Sequence, residues 1–357
     1  MRRNRFVSNL AVAALGIVPH LRAAEPAKAM PSQAEAFSQE VRATVERVSD
    51  AICRVEGDDQ HGHLRGTGFF IDADGTLLTS FSVGGESRDI IVTAGEQRFP
   101  ATRLVADSRA GIAVLKIVAE RPVRFLKFGK SSALAVASPV MTAGFPLDLP
   151  LSPSIGLVAG IDIKCHVGPE DQDRYFATRH IRANVPVQRG QGGSPVLNLR
   201  GEVVGVLIST VEQNSGIFAL PIEAAAKVLH DFRTYGRVRQ GWLGVDVRLI
   251  DRPEHGSTAR ILTVREDGPG HAGGLRPGDV LLQVGGWKIT HPEDVLNAAF
   301  FVSSTEPLKM RVSRAGKERE FTITPTDPPD GSMPTIERQP PTILDTSPNG
   351  KGISLGQ

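Results

Sequence analysis

Cysteine is scarce in this sequence, with two in 357 residues. Cys53 and Cys165 can make at most one bridge, so a framework of several disulfides is excluded. An oxidising compartment would permit that single bridge; otherwise both read as small buried residues. Long apolar runs are missing too. The apolar stretch from Phe6 to Val18 is too short for a comfortable membrane span. Charge of one sign is not in excess: 41 basic against 39 acidic residues give +2. With no dominant basic patch, nucleic acid is not an expected partner. His61 and His63 alternate on a possible strand, but no third ligand accompanies them. Neither a metal nor a cofactor is expected. What the chain has in quantity is glycine, 37, and proline, 25. That favours many short strands and turns over long helices.

The first residues read as a secretory signal. Arg2, Arg3 and Arg5 precede the apolar stretch, and small residues follow at Ala23-Ala24 and Ala27-Lys28-Ala29. Residues 1–24 are the expected signal peptide, with cleavage after Ala24 or Ala29; an uncleaved anchor is the alternative. The expected location is therefore periplasmic or secreted. Removing residues 1–24 takes four arginines and no acid, which turns +2 into −2. Beyond the signal, Phe37, Val41, Val45 and Val48 have helical spacing between Gln33 and Ser49. A strand is expected at Ala51 to Val55. From about 52 to 218 short strands alternate with Gly, Pro and Asp, which suits two six-stranded Greek-key barrels. Ile222 to Phe232 reads as a helix that closes this domain, 33–236. A second domain, 239–326, follows. From 327 to 357 the chain is rich in Pro, Thr, Ser and Gly and is expected to be a disordered tail.

Three segments carry a family likeness. Gly66 to Val83 reads as a strand, an Asp-Gly turn and a strand, and ends in Leu78-Thr79-Ser80-Phe81-Ser82-Val83. Asp107 to Ile117 includes Gly111-Ile112-Ala113-Val114-Leu115-Lys116. Val187 to Val196 includes Gly190-Gln191-Gly192-Gly193-Ser194-Pro195, followed by Val196 to Val206. In this order they resemble the HtrA/Deg-type trypsin-like serine proteases. Ala143-Gly144-Phe145-Pro146 and Gly216 to Pro221 also have counterparts there. The resemblance runs from about Ala36 to Pro325. It implies a mostly β chain: a trypsin-like double Greek-key β-barrel followed by an α+β PDZ domain.

The resemblance also marks where a catalytic triad would stand. Ser82 takes the place of the general base, Gly111 that of the orienting acid, and Gly192 that of the nucleophile. A serine hydroxyl is weakly nucleophilic unless an imidazole takes its proton, and that imidazole must be oriented by a third group. No histidine lies in the segments that the family aims at the cleft. Ser194, two positions on, is a weak alternative nucleophile and more simply serves a turn.

In the second domain, Gly241-Trp242-Leu243-Gly244-Val245 resembles the carboxylate-binding loop of a PDZ domain. Asp267 to Leu281, with Ala272-Gly273-Gly274-Leu275-Arg276-Pro277-Gly278-Asp279, matches the PDZ pattern closely. Gly285-Gly286 reads as a turn, Pro292 to Val302 as a helix with Pro in its first turn, and Met310 to Ile323 as a hairpin about Ala315-Gly316. A PDZ loop presents N–H groups to a terminal carboxylate while an edge strand pairs with the peptide. Gly241 and Gly244 would let the main chain approach, and Leu243 and Val245 would line the pocket. Trp242 is either a surface anchor or ordinary packing.

The expectation is a pseudoprotease, not an enzyme. It would bind protein C-termini or unfolded polypeptides through its PDZ domain, as an adaptor or regulator in envelope protein quality control. Two alternatives stand beside it: an active serine endopeptidase with a non-standard site, and a structural PDZ docking protein of the cell envelope. The resemblance also raises a homo-oligomer, or an assembly with an active relative.

Overall fold

The computed structural model describes residues 32–162, 178–211, 215–252, 256–329 and 336–337. The expected signal peptide and Cys165 lie outside the described residues, as does most of the expected tail. The chain divides into two units, Met1–Glu40 and Val41–Gln357. Of the first, the described part is mainly the opening of helix α1 (Gln33–Val48), where Ser32 and Glu35 exchange hydrogen bonds as a capping box.

The second unit is mostly β. Strands β1 (Ile52–Asp59), β2 (Gly62–Phe70), β3 (Thr76–Ser80), β4 (Arg88–Ala94), β5 (Gln97–Asp107) and β6 (Ile112–Ile117) close into a barrel in the order β1-β2-β3-β6-β5-β4. Its interior includes Cys53, Val55, Phe70, Leu77, Val92 and Leu115. Cys53 is a buried free thiol, and burial pushes its pKa well up. Strands β7 (Pro139–Gly144), β8 (Ser152–Asp162), β9 (His180–Ala183), β10 (Pro195–Leu197), β11 (Val203–Thr210) and β12 (Ile217–Pro221) close a second barrel, β10-β11-β12-β9-β8-β7. Closure leaves no open edge in either barrel.

Short segments rich in aliphatic and β-branched residues build these barrels, several of them buried along nearly their whole length, as in Thr76–Ser80 and Ile112–Ile117, and the turns are chemically specified. Asp72 Oδ1 accepts from the N–H of Asp74 and Thr76, which tightens the Asp-Gly turn between β2 and β3. The segment after β3 differs from the strand expected there. Phe81–Gly84 is one helical turn, α2. The chain must leave the barrel wall at this point, and Phe81 N–H donates to Gly111 O at 2.8 Å.

Helix α3 (Ile222–Tyr235) buries Ala224, Ala225, Val228 and Leu229 and stops at Gly236, a left-handed cap. A single apolar cluster runs through Phe69, Leu78 and Ile112 of the first barrel, Met141, Leu197 and Val206 of the second, α3, and Phe300 of the following domain.

That domain is a sheet of seven strands: β13 (Val245–Arg252), β14 (Gly256–Val264), β15 (Val280–Val284), β16 (Trp287–Lys288), β17 (Leu308–Arg314), β18 (Lys317–Ile323) and β19 (Ile336–Glu337). The order is β18-β17-β15-β14-β13-β19, with β16 on β15. Two short helices, α4 (Pro269–Ala272) and α5 (Pro292–Phe301), cover it. Residues 315 and 316 both have positive φ, 50° and 79°, and Arg314 pairs with Lys317. This is the two-residue hairpin geometry that matches strand twist. The expectation of a tail without structure from 327 does not hold at two places. Asp327 accepts from Arg237 and Arg239, and Ile336–Glu337 pairs with β13.

Candidate functional site

The Gly-rich turn after β9 sits where the two barrels meet. Thr67 N–H on β2 donates to Gly192 O at 2.8 Å, and Thr67 Oγ1 donates to Gly190 O at 2.9 Å. Gly193 N–H donates to Leu207 O on β11 at 2.8 Å. Gly193 has φ +87°, and a Cβ there would lie 2.2 Å from Thr67 O. The turn therefore excludes any other residue at 193. Among the described residues, the Gly190 and Gly192 N–H groups have no acceptor.

The structure brings the three triad-equivalent positions to one place. A Cβ built on Gly192 would meet two atoms within 4 Å: Ser80 Oγ at 3.3 Å and Ser82 Oγ at 3.9 Å. Ser82 is exposed in the first turn of α2, and its hydroxyl is 2.9 Å from that of buried Ser80. Gly111 is joined to the same turn through its carbonyl, which accepts from Phe81 N–H. Ser80 escaped the sequence reading; its only signal was the Ser-X-Ser spacing with Ser82.

Ser194 faces elsewhere. It is fully buried, and its Oγ has no hydrogen-bond partner. A Cβ on Gly144 would fall 2.2 Å from that Oγ, so Gly144 makes room for it. The Ser194 N–H and carbonyl close the turn, to Gln191 O at 3.1 Å and from Leu207 N at 2.9 Å. His180, at the start of β9, is wholly buried. Burial lowers its pKa to about 3, so it is neutral at physiological pH.

At the PDZ loop the five expected residues divide. Gly241 N–H donates to Ala299 O at 2.9 Å. Trp242 exchanges two backbone bonds with Thr326, at 2.7 and 3.2 Å. Those two N–H groups are spent within the fold. Leu243 and Gly244 N–H have no acceptor among the described residues, and their carbonyls accept from Gly270 and Arg265. The free donors thus sit just ahead of β13. Gly244 has φ +69° and stacks under the Trp242 ring, 3.2 Å from where its Cβ would be. Trp242 is 7% exposed, with the Arg265 guanidinium 5.5 Å from its ring. It is a packing residue. Leu243 and Val245, expected to line a pocket, are buried in the sheet's own core beside Leu275 and Val295.

Helix α5 ties this domain to the barrels. Asp294 accepts from Thr290 N–H at 2.8 Å, from His291 N–H at 3.1 Å and from Arg179 Nη2 at 2.5 Å. Burial pushes the Asp294 pKa up, but these donors outweigh it and hold the carboxyl below 3.8. Arg179 N–H also donates to Asn297 Oδ1 at 3.0 Å, and Lys227 Nζ lies 4.8 Å from the Phe300 ring centre.

Comparison with known proteins fits this layout. Residues 66–206 match the trypsin-like peptidase domain family and residues 241–324 the PDZ domain family. A "probable periplasmic serine endoprotease DegP-like" of Ectopseudomonas mendocina is 31% identical over 283 residues, 75% of this chain and 57% of the relative. One of Halomonas elongata is 31% identical over 300 residues, 80% of this chain and 62% of the relative. The chain spans less than two thirds of the length of these relatives. Among solved structures, the HtrA-type protease AlgW with tripeptide superposes with a TM-score of 0.68 at 21% identity, covering 84% of this chain and 99% of that one. The serine endoprotease from Yersinia pestis gives 0.60 at 21% identity, over 84% and 100%. The expectation that the chain is not an enzyme, drawn from Ser82, Gly111 and Gly192, is overturned by the relatives, which are named as serine endoproteases. Their names also agree with a periplasmic location, and no described helix is long and apolar enough to cross a membrane. The chain is thus a trypsin-like peptidase domain joined to a C-terminal PDZ domain, the arrangement of the HtrA/DegP-type proteins to which its sequence is related.

Proposed function

We propose that this is an HtrA/DegP-like serine endoprotease of the periplasm, whose PDZ domain captures protein C-termini or unfolded polypeptides for the double barrel. The observation that supports it most is the likeness to named endoproteases across both domains, in order. Capture would use the two free N–H groups of Leu243 and Gly244 for a terminal carboxylate and the edge of β13 for the peptide backbone. Gly192 carries no side chain, so the attacking hydroxyl would be Ser82, the exposed hydroxyl facing that glycine. The Gly190 and Gly192 N–H groups would receive the carbonyl oxygen as it gains charge. Ser82 has another hydroxyl, Ser80, as its partner instead of an imidazole. A hydroxyl is not a base, so solvent water would take the Ser82 proton as the C–O bond forms and return one to the departing amine. A second water would release the acyl group. Turnover should accordingly be slow, near the ~10³–10⁴-fold over water that survives loss of a triad member. Self-association, or assembly with a relative, belongs to the same reading and is measured by light scattering of the intact protein.

The test incubates purified protein with unfolded casein and a fluorophosphonate probe. Cleavage and labelling that disappear in Ser82→Ala and persist in Ser194→Ala are the expected result. The same cleavage in protein and Ser82→Ala removes Ser82 as the attacking hydroxyl, and none in either sinks the endoprotease reading. Peptide binding is measured separately, with free and amidated C-termini. Equal binding of the two sinks carboxylate capture, since a charged hydrogen bond is worth about 1.5–3 kcal/mol.

A further inference from the structure

Thr67 joins a second segment to the Gly190 turn. Its Oγ1, which donates to Gly190 O, accepts from Phe145 N–H at 3.1 Å. Leu147 N–H donates to Arg189 O at 2.8 Å. The approach is so close that a Cβ on Gly190 would lie 2.4 Å from Phe145 O. Residues 145–149, which follow β7, therefore stand beside the Gly190 N–H that the proposed chemistry uses. The same segment is held to the first barrel. Arg54 of β1 donates to Asp148 O at 3.3 Å and to Leu149 O at 3.2 Å. Arg65 of β2 pairs with the Asp148 carboxylate.

What this segment presents to solvent is apolar. Leu147 is 56% exposed and Leu149 53%. A single exposed leucine on a surface needs no explanation. Two together, fixed at the lip of a candidate site, mark a contact surface. The backbone adds a second observation. Leu147 has φ 48° and Asp148 φ 61°. That left-handed region suits glycine and disfavours a bulky side chain. Among the described residues five non-glycines have positive φ, and Leu147 is the largest apolar one. Its side chain is more than half in water, so burial within the fold does little to offset the strain. Strain of this kind collects where a chain meets its ligand.

We propose that Leu147 and Leu149 form an apolar subsite of the candidate active site, which holds a large aliphatic or aromatic side chain of an unfolded polypeptide and so sets where that polypeptide is cut. This rests on the endoprotease reading above. A folded protein keeps such side chains in its core, whereas an unfolded one presents them along its length. Contact would withdraw apolar surface of both partners from water. The bonds from Arg54 and Arg65 hold the leucines in place before substrate arrives, which lowers the ordering cost of binding.

The test compares the full chain with Leu147→Gly, Leu149→Ser and Leu147→Met. Glycine adopts φ 48° without strain, so Leu147→Gly should melt no lower than the parent. That separates loss of the subsite from loss of the fold. KM for unfolded casein should rise about tenfold in Leu147→Gly and Leu149→Ser, with kcat within about twofold of the parent. Mass spectrometry of the fragments reads the cut sites. Large apolar residues should be enriched at one position relative to the cut bond in the parent. Leu147→Met keeps the apolar bulk and should keep that enrichment, while the other two variants lose it. Unchanged KM and cut sites in Leu147→Gly and Leu149→Ser overturn the inference. So does a smaller assembly by light scattering with unchanged cut sites, which makes the leucines a contact between copies. If no version cleaves casein in a Ser82-dependent way, the endoprotease reading fails. Anisotropy of fluorescein-labelled casein then decides on the leucines alone. Binding weaker by about threefold or more in both variants upholds their contact with unfolded chains, and equal binding overturns it.

Discussion

His180 is the residue whose chemistry is most altered by the fold. Its imidazole is neutral because burial lowers its pKa from 6.5 to about 3. In the unfolded chain it takes up a proton below pH 6.5, whereas the folded protein refuses one until about pH 3. Its contribution to stability is thus complete above pH 6.5 and is lost progressively as pH falls toward 3. Urea denaturation at pH 7.5 and pH 5 should show a drop for the parent and a smaller drop for His180→Gln. An equal drop in both shows that other groups set the acid sensitivity. At Gly193 the expectation is steric. Gly193→Ala puts a methyl 2.2 Å from a backbone oxygen at φ +87°, and should cost about 2 kcal/mol or more in the same assay. Ser82, Gly111 and Gly192 each sit in a locally patterned motif, and that is what lets the sequence propose them as triad-equivalent positions. Ser80 shows no such pattern, since its approach to Gly192 comes from the packing of one barrel against the other and leaves no local trace.

Among the elements, the carboxylate loop and α5 invite substitution. Gly244→Val forces a β-branched residue into φ +69° against the Trp242 ring. It should abolish carboxylate-dependent peptide binding and lower stability by about 1–3 kcal/mol; anisotropy and thermal melting read the two effects apart. If Gly244→Val binds as the parent does, the loop is not the site. Asp294→Ala removes both the cap of α5 and the partner of Arg179. A cap alone is worth about 1 kcal/mol, so a larger loss measures the ion pair. The barrels, the Ala315-Gly316 hairpin and α5 could be anticipated from short strands punctuated by Gly, Pro and Asp, from turn residues and from an N-terminal proline. The Trp242–Thr326 exchange could not, because it is made by backbone groups that any residue possesses. The same holds for β19: two residues in a Pro-rich stretch carry no strand pattern, and only the fold supplies the edge that pairs with them.

For the whole molecule, acid should act on the attachment of the PDZ domain as well as on His180. The Asp294 carboxyl has a pKa below its ordinary 3.8. Its stabilising bond to Arg179 is present above that value and lost as pH falls through the lower, folded one. Limited proteolysis near residue 239 should therefore accelerate only below about pH 3.8, while Asp294→Asn should be cut at neutral pH. Indifference of the cleavage rate to both changes shows that Arg179 and Asp294 do not hold the domains. The apolar cluster that includes both barrels, α3 and Phe300 has a thermodynamic consequence. Phe300 lies on a PDZ helix but is buried with the barrels, so neither part can melt without uncovering the other's aromatic or aliphatic surface. Calorimetry should record one endotherm, with a van't Hoff enthalpy equal to the calorimetric one. A fragment starting at Arg239 would carry an uncovered phenyl ring into water and associate with itself, and Phe300→Ser should keep that fragment monomeric while splitting the single endotherm of the intact protein into two.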